Sequence, residues 1–344
     1  MLFSQLRSSD IAVDMGTYST RIYVRGRGIV INESSAIALR DSDNRIVVVG
    51  NEAEEMVGRS DGGLKLRHPL QEGRVADLEA AQLMIQYFAN KALGSLRRKP
   101  QVVAAKPIGL GKIDEAMYAE ALESIGVRKK TNIEGVLAAG IGAGLPVHEP
   151  QGSLIVNIGA GKTEIALLSL DGVVISHMTN VAGIQIDRAI VEEVRRQYDV
   201  QITARAAEKI KFDITDIRED AVSGRTIVVR GRDNATGMPT TVEVELTVAA
   251  HAISAVVRRI QESIKWVLGR IPPELCADVL RSGITLCGGS ALLPKLDTVC
   301  EEALGIPTHV ARDPAECTVI GAGYMADHFD LLIEDKLFRN AEEG

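Results

Sequence analysis

V-N-I-G-A-G-K-T-E-I-A-L, residues 156–167, carries the Gly-Lys-Thr triplet of a phosphate loop. A Walker loop needs a glycine five residues before the Gly-Lys pair and a helix after it. Val156 stands at the glycine position, and residues 164–170 read E-I-A-L-L-S-L, closed by Asp171-Gly172. That apolar run predicts a second strand and a turn. The loop therefore joins two strands, and the Walker reading fails.

The same pattern occurs 143 residues earlier, where residues 13–24 read V-D-M-G-T-Y-S-T-R-I-Y-V. An ungapped alignment pairs Asp14 with Asn157, Gly16 with Gly159, Thr20 with Thr163 and Ile22 with Ile165. G-I-V-I at 28–31 then echoes G-V-V-I at 172–175 with a slip of one residue. A three-strand meander that recurs once predicts two similar domains, each offering a Gly/Ser/Thr hairpin. Backbone N–H groups in such a hairpin approach a phosphate closely where glycine carries no Cβ. Two facing hairpins would clamp one polyphosphate; two ordinary turns alike by chance are the alternative.

Bulk properties agree with a two-domain soluble chain. At 344 residues the protein exceeds what one core usually supports. Acidic residues are dispersed and the net charge is −7, so nucleic acid is not an expected partner. Cys276, Cys287, Cys300 and Cys317 lie 11, 13 and 17 positions apart, without a C-x-x-C, which suits reduced thiols and no zinc site. The histidines are scattered, which argues against a side-chain metal cluster. No apolar run reaches membrane-spanning length and no signal peptide is visible.

Strands and helices alternate along the rest of the chain. Strands are expected at 45–50, 101–105 and 283–287, and a hairpin from 227–232 and 241–246. Helices are expected at 78–92, 114–124, 134–144, 187–198, 204–214, 248–268, from Leu292, and at 318–327. The 134–144 segment contains A-A-G-I-G-A-G, and 318–327 contains I-G-A-G-Y. Small residues there permit very close helix packing; between duplicated domains the first also suits a hinge. Gly288-Gly289-Ser290 joins a strand to a helix, where bare backbone can lie against a base or ribose. Glu208 and Lys211 share a helix face, with Thr215 a turn further on. Taken alone, that pair reads as a solvated ion pair.

The motifs V-D-M-G-T-x-S-T, V-x-I-G-x-G-x-T-E, A-E-K-I-K and C-G-G-S-A-L-L together closely resemble the actin-like ATPase superfamily. Within it, I-G-A-G-L-P-V, G-I-V-I-N-E-S-S and I-P-P-E-L resemble bacterial MreB and Mbl, and the likeness runs from about residue 10 to 327. The resemblance implies an α/β, duplicated two-domain fold of the RNase H-like kind with a nucleotide cleft between domains. Domain I would span 1–144 plus 312–344, with a small subdomain at about 32–67. Domain II would span 145–311, with a small subdomain at about 182–246. It further implies ATP or GTP with Mg²⁺, self-assembly into paired filaments, and a cytoplasmic location on the inner face of the cell membrane, beside cell-wall synthesis or morphogenesis proteins.

By this similarity Asp14, Gly16, Thr17, Ser19 and Thr20 form the first phosphate hairpin, with Asp14 facing a hydrated Mg²⁺. Asn157, Gly159, Ala160, Gly161, Lys162 and Thr163 form the second. Glu208, Lys211 and Thr215 would meet ribose and base from one side, and Gly288, Gly289 and Ser290 would hold the adenine side. The family usually reads D-I-G-G-G-T-T-E where this chain has N-I-G-A-G-K-T-E, so an aspartate has become Asn157 and a lysine has entered at 162. It usually reads I-E-E-P-M-A-A-A-I-G where this chain has I-E-G-V-L-A-A-G-I-G, so the glutamate that orients the attacking water falls on Gly135, with Glu134 beside it. Hydrolysis needs a positioned acceptor and metal-borne charge neutralisation, and slow or absent turnover is expected. Lys106 and Lys162 bring positive charge toward the phosphates instead. Drift in a still-active ATPase is the competing reading.

Membrane contact has its own candidates. M-L-F-S-Q-L-R at 1–7 places Leu2, Phe3 and Leu6 on one helical face, and L-G-S-L-R-R-K at 93–99 sets Leu93 and Leu96 beside three bases. Apolar anchors next to cations suit an anionic bilayer surface; each segment alone also reads as a plain terminus or turn. Other functions on this fold are a plasmid- or organelle-positioning filament and a small-molecule kinase. A kinase needs a carboxylate base, and Asp14 is the one candidate.

Overall fold

The computed structural model describes residues 10–43, 45–57, 63–94 and 99–328. The chain divides into two compact units, Met1–Pro146 with Glu316–Gly344, and Val147–Ala315. Each contains a five-stranded mixed sheet of one topology. In the first unit the order is Lys129–Glu134, Gln101–Lys106, Ile11–Met15, Ser19–Val24, Gly28–Ser34; in the second it is Thr308–Val310, Ile284–Cys287, Ser153–Ile158, Thr163–Ser169, Gly172–Thr179. In both, three antiparallel strands in sequence are extended by two parallel ones. Parallel neighbours need crossovers, and helices supply them. The duplication read in the hairpins therefore extends through each sheet.

Apolar spacing explains how the helices dock. In Leu78–Leu93 the buried Ala81, Met84, Ile85 and Phe88 form one stripe on the first sheet. In Leu246–Leu268 the stripe is Ile253, Val257, Ile260 and Ile264, packed with Ile186, Ile190 and Val194 of Gly183–Tyr198. A three-stranded sheet accompanies each core: Ile37–Arg40 between Ile46–Val49 and Leu64–Arg67 in the first unit, and Val200–Gln201, Thr226–Asp233 and Pro239–Glu245 in the second.

The small-residue helices meet each other within the first unit. Gly135–Gly142 and Cys317–Asp327 approach so closely that a Cβ on Gly142 would stand 1.9 Å from the Cys317 carbonyl oxygen. One on Gly321 would stand 1.8 Å from that of Ala138. Neither helix can carry a side chain at its crossing point.

Several boundaries differ from expectation, each for a local reason. The turn after Thr163–Ser169 is Leu170-Asp171, both left-handed with φ of +50° and +58°, and Gly172 already begins the next strand. Positive φ at both residues matches the twist of a two-residue hairpin, and that geometry overrides the usual preference for glycine. Glu134 ends a strand with extended backbone, so the helix begins at Gly135. The helix expected from residue 187 begins at Gly183. Gly289–Leu292 is a single 3₁₀ turn, and the regular helix starts only at Leu296. Thr215 lies beyond the helix Ala204–Asp213.

Candidate nucleotide-binding hairpins

Both hairpins close by the same bond at the 143-residue spacing. Gly16 N–H donates to the Ser19 carbonyl at 3.0 Å, and Gly159 N–H donates to that of Lys162 at 2.9 Å. Strand register agrees, with Met15 opposite Thr20 and Ile158 opposite Thr163. A Cβ on Gly16 would lie 2.8 Å from the Ser19 oxygen, and one on Gly159 3.1 Å from the Lys162 oxygen. Glycine is thus required at 16, and at 159 a Cβ would fit only if the turn gave by a few tenths of an ångström. The following threonines are fully buried: Thr20 Oγ1 lies 2.8 Å from Ser35 Oγ, and Thr163 Oγ1 donates to the Val181 carbonyl at 2.7 Å. Ser35 Oγ donates in turn to the Gly16 carbonyl at 2.7 Å, and Thr17 Oγ1 accepts from Gly73 N–H at 2.9 Å. These bonds fix the loop backbones that carry the N–H groups.

The second hairpin gathers other candidate residues around it. Ser290 Oγ donates to the Gly159 carbonyl at 2.9 Å, which also accepts from Gly183 N–H at 3.1 Å, while Ile184 N–H donates to the Ala160 carbonyl at 2.8 Å. Gly288, at φ +86°, passes so close that a Cβ would lie 2.3 Å from the Ile158 oxygen and 2.6 Å from Asn157 Oδ1. The Gly288–Ser290 turn, the start of the Gly183 helix and the Gly159–Lys162 turn form one backbone cluster. Gly183 was not read as a site residue. Its signal was a glycine just ahead of an amphipathic run, but the partners that anchor the helix start are distant in sequence.

Lys211 is not a solvated residue. It is 3% exposed, and its Nζ lies 2.8 Å from Asp187 Oδ1, on the helix that begins at Gly183. Burial pushes the Asp187 carboxyl above its ordinary range, against the pull of Lys211. Thr215 is exposed and accepts from Arg225 Nη1. Replacing Lys211 with Met is expected to cost about 3 kcal/mol, because a buried carboxylate loses its counter-ion. Asp187 then titrates still higher. A carboxyl whose folded pKa exceeds its unfolded value opposes folding once ionised, so the deficit grows as pH rises through the folded value. Urea unfolding without nucleotide should show a larger deficit at pH 7.5 than at pH 5, and equal deficits would contradict the assignment.

The charged positions of the two hairpins differ. In the first, Asp14 faces Arg21 across the strands, with Asp14 Oδ2 4.0 Å from Arg21 Nη1. In the second, Asn157 faces Glu164, and Lys162 Nζ lies 2.7 Å from Glu164 Oε2, whose side chain is 1% exposed. Lys106 Nζ lies 2.6 Å from Glu115 Oε1. Both lysines that depart from the family pattern thus have anionic partners within the protein. Gly135 is buried in the first turn of its helix and Glu134 is exposed beside it.

These residues fit a polyphosphate through their turns. They fit Mg²⁺ through Asp14, since Mg²⁺ keeps several waters and needs only one or two carboxylates when phosphates supply the rest. Among the described residues no cluster of three or more His, Cys, Asp or Glu is placed to hold a metal alone. Of the membrane candidates, Leu2, Phe3, Leu6 and Leu96 lie outside the described residues. Leu93 ends its helix and packs half-buried on the first unit's core. No helix among the described residues is long and apolar enough to cross a membrane.

Duplicated sheets of this topology, each with a glycine-turn hairpin, define an actin-like protein. The chain belongs to the MreB/Mbl protein family, whose sequence model matches residues 8–334. It is 37% identical over 329 residues to the cell shape-determining protein Mbl of Bacillus subtilis, covering 95% of this chain and 98% of that one. It is 37% identical over 336 residues to the cell shape-determining protein MreB of Escherichia coli, covering 96% of each. The crystal structure of MreB 5 of Spiroplasma citri bound to AMPPNP superposes with a TM-score of 0.88 at 30% identity, covering 95% of this chain and 98% of that one.

Proposed function

We propose that the protein binds ATP, with GTP as the alternative, and polymerises into double filaments as a cell-shape-determining cytoskeletal protein. The reading rests on the matching Gly16 and Gly159 turns, each closed by the same backbone bond into a tight glycine hairpin of the kind that suits phosphate. Cell shape is the named role of the Bacillus and Escherichia relatives, and the Spiroplasma relative binds a triphosphate analogue.

In this assignment Gly16, Thr17, Ser19 and Thr20 build one phosphate hairpin and Gly159, Ala160, Gly161, Lys162 and Thr163 the other, with the buried Thr20 and Thr163 holding the turns. Glu208, Lys211 and Thr215 border the ribose and base, and Gly288, Gly289 and Ser290 lie against the adenine. Asp14 holds Mg²⁺ through water, and the ion supplies charge neutralisation to the phosphates. Hydrolysis is slow, because Gly135 provides no acceptor for the attacking water and Asn157 no second carboxylate. Filaments lie on the inner membrane face through Leu2, Phe3, Leu6, Leu93 and Leu96, near cell-wall synthesis proteins.

Sedimentation and electron microscopy test the assembly. ATP or AMPPNP is expected to give straight double filaments. Monomers throughout a range of nucleotide, salt and lipid conditions would overturn the filament assignment.

A further inference from the structure

The duplication allows the charges of the two hairpins to be compared position by position. Asp14, Ser19 and Arg21 of the first correspond to Asn157, Lys162 and Glu164 of the second. Each trio is neutral overall, yet the charges sit in different places. In the first the carboxylate is on the leading strand and the cation on the returning strand. In the second the cation has moved into the turn, and the leading strand carries an amide.

Lys162 is well anchored there. Lys162 lies in the turn just before the strand that carries Glu164, and Glu164 lies opposite Asn157 in register. Lys162 Nζ lies 2.7 Å from the Glu164 carboxylate, with side-chain exposures of 17% and 1%. A carboxylate this buried keeps its ammonium partner, since separation would leave a charge out of water. An ammonium has three donors and Glu164 uses one, so donors remain for an oxyanion at the turn. Glu164 thus fixes the lysine where its charge is least mobile and still partly open to a ligand.

We propose that Lys162, tethered by Glu164, is a phosphate-binding residue that lets this chain hold a nucleoside triphosphate without a divalent cation. The inference rests on the nucleotide reading above. The ammonium of this ion pair donates a charged hydrogen bond to a phosphate oxygen, a contact that does not depend on a metal. Mg²⁺ remains compatible through Asp14 but is no longer required for affinity.

Isothermal titration with ATP, in millimolar Mg²⁺ and in excess EDTA, tests this on the full chain. The wild-type Kd is expected to change by less than about threefold on chelation. In Lys162→Gln, which can still donate to Glu164, and in Lys162→Thr, binding should already be weaker with Mg²⁺, and the loss should be larger without it. In EDTA both should weaken about 10- to 100-fold, the loss of one charged hydrogen bond. Lys162→Arg keeps the charge and should resemble wild type in both buffers. Wild-type binding that collapses in EDTA while persisting in Mg²⁺ would overturn the inference alone, as would neutral variants that bind like wild type in EDTA. No wild-type binding in either buffer would overturn the nucleotide reading and the inference with it.

Discussion

Gly321→Ala is expected to destabilise the first unit by about 4–5 kcal/mol, at the upper end for a single substitution. The added methyl would stand 1.8 Å from the Ala138 oxygen and 2.9 Å from the Gly142 nitrogen, atoms of a helix backbone that cannot rotate away. The two helices must separate by more than 1 Å, and the alanines that line them lose contact along their length. Gly142→Ala, whose methyl meets the Cys317 oxygen at 1.9 Å, should cost about as much. The double variant should cost much less than both together, because one separation relieves both clashes. Gly63→Ala, with nothing among the described residues within 4 Å of the new Cβ, should shift stability by under about 0.5 kcal/mol. Urea unfolding of the four variants checks the pattern, and near-neutral helix variants would show that the helices are not in backbone contact.

Restoring the two carboxylates should raise phosphate release by about 10² to 10⁴, the usual worth of one positioned acid–base group. The change is Gly135→Glu with Asn157→Asp. Gly135 opens a helix, where a carboxylate is favoured by the exposed N–H groups. Lys162→Thr belongs in the same variant, since the ammonium beside Glu164 would otherwise pair with the carboxylate placed at position 157, directly opposite in register. Single-turnover phosphate release under assembly conditions reads the effect, with a thermal melt to verify folding. Brisk release by the wild type would show that other groups replace the missing acids.

How much was legible in the sequence depended on the distance between partners. The hairpins were, because Gly16 to Ser19 and Gly159 to Lys162 are local turns repeated at fixed spacing. The small-residue helices were visible as segments that tolerate close approach. Nothing local said that Gly142 and Gly321, far apart in the chain, meet each other. The start of the helix at Gly183 was missed because Ala182 has no capping side chain and the stabilising carbonyls belong to Gly159 and Ala160. Lys211 looked solvated because its helix also carries Glu208, whereas its buried partner Asp187 lies on another helix. The Leu170-Asp171 turn defied composition, since hairpin twist set its φ values.

The account turns on a nucleotide that is bound and turned over slowly. Purified protein should be incubated with ATP and Mg²⁺, freed of unbound nucleotide by rapid desalting, denatured, and its nucleotide resolved by chromatography. The account predicts near-stoichiometric nucleotide recovered chiefly as the triphosphate after many minutes. Protein that carries none, or carries only diphosphate at the first time point, would contradict it.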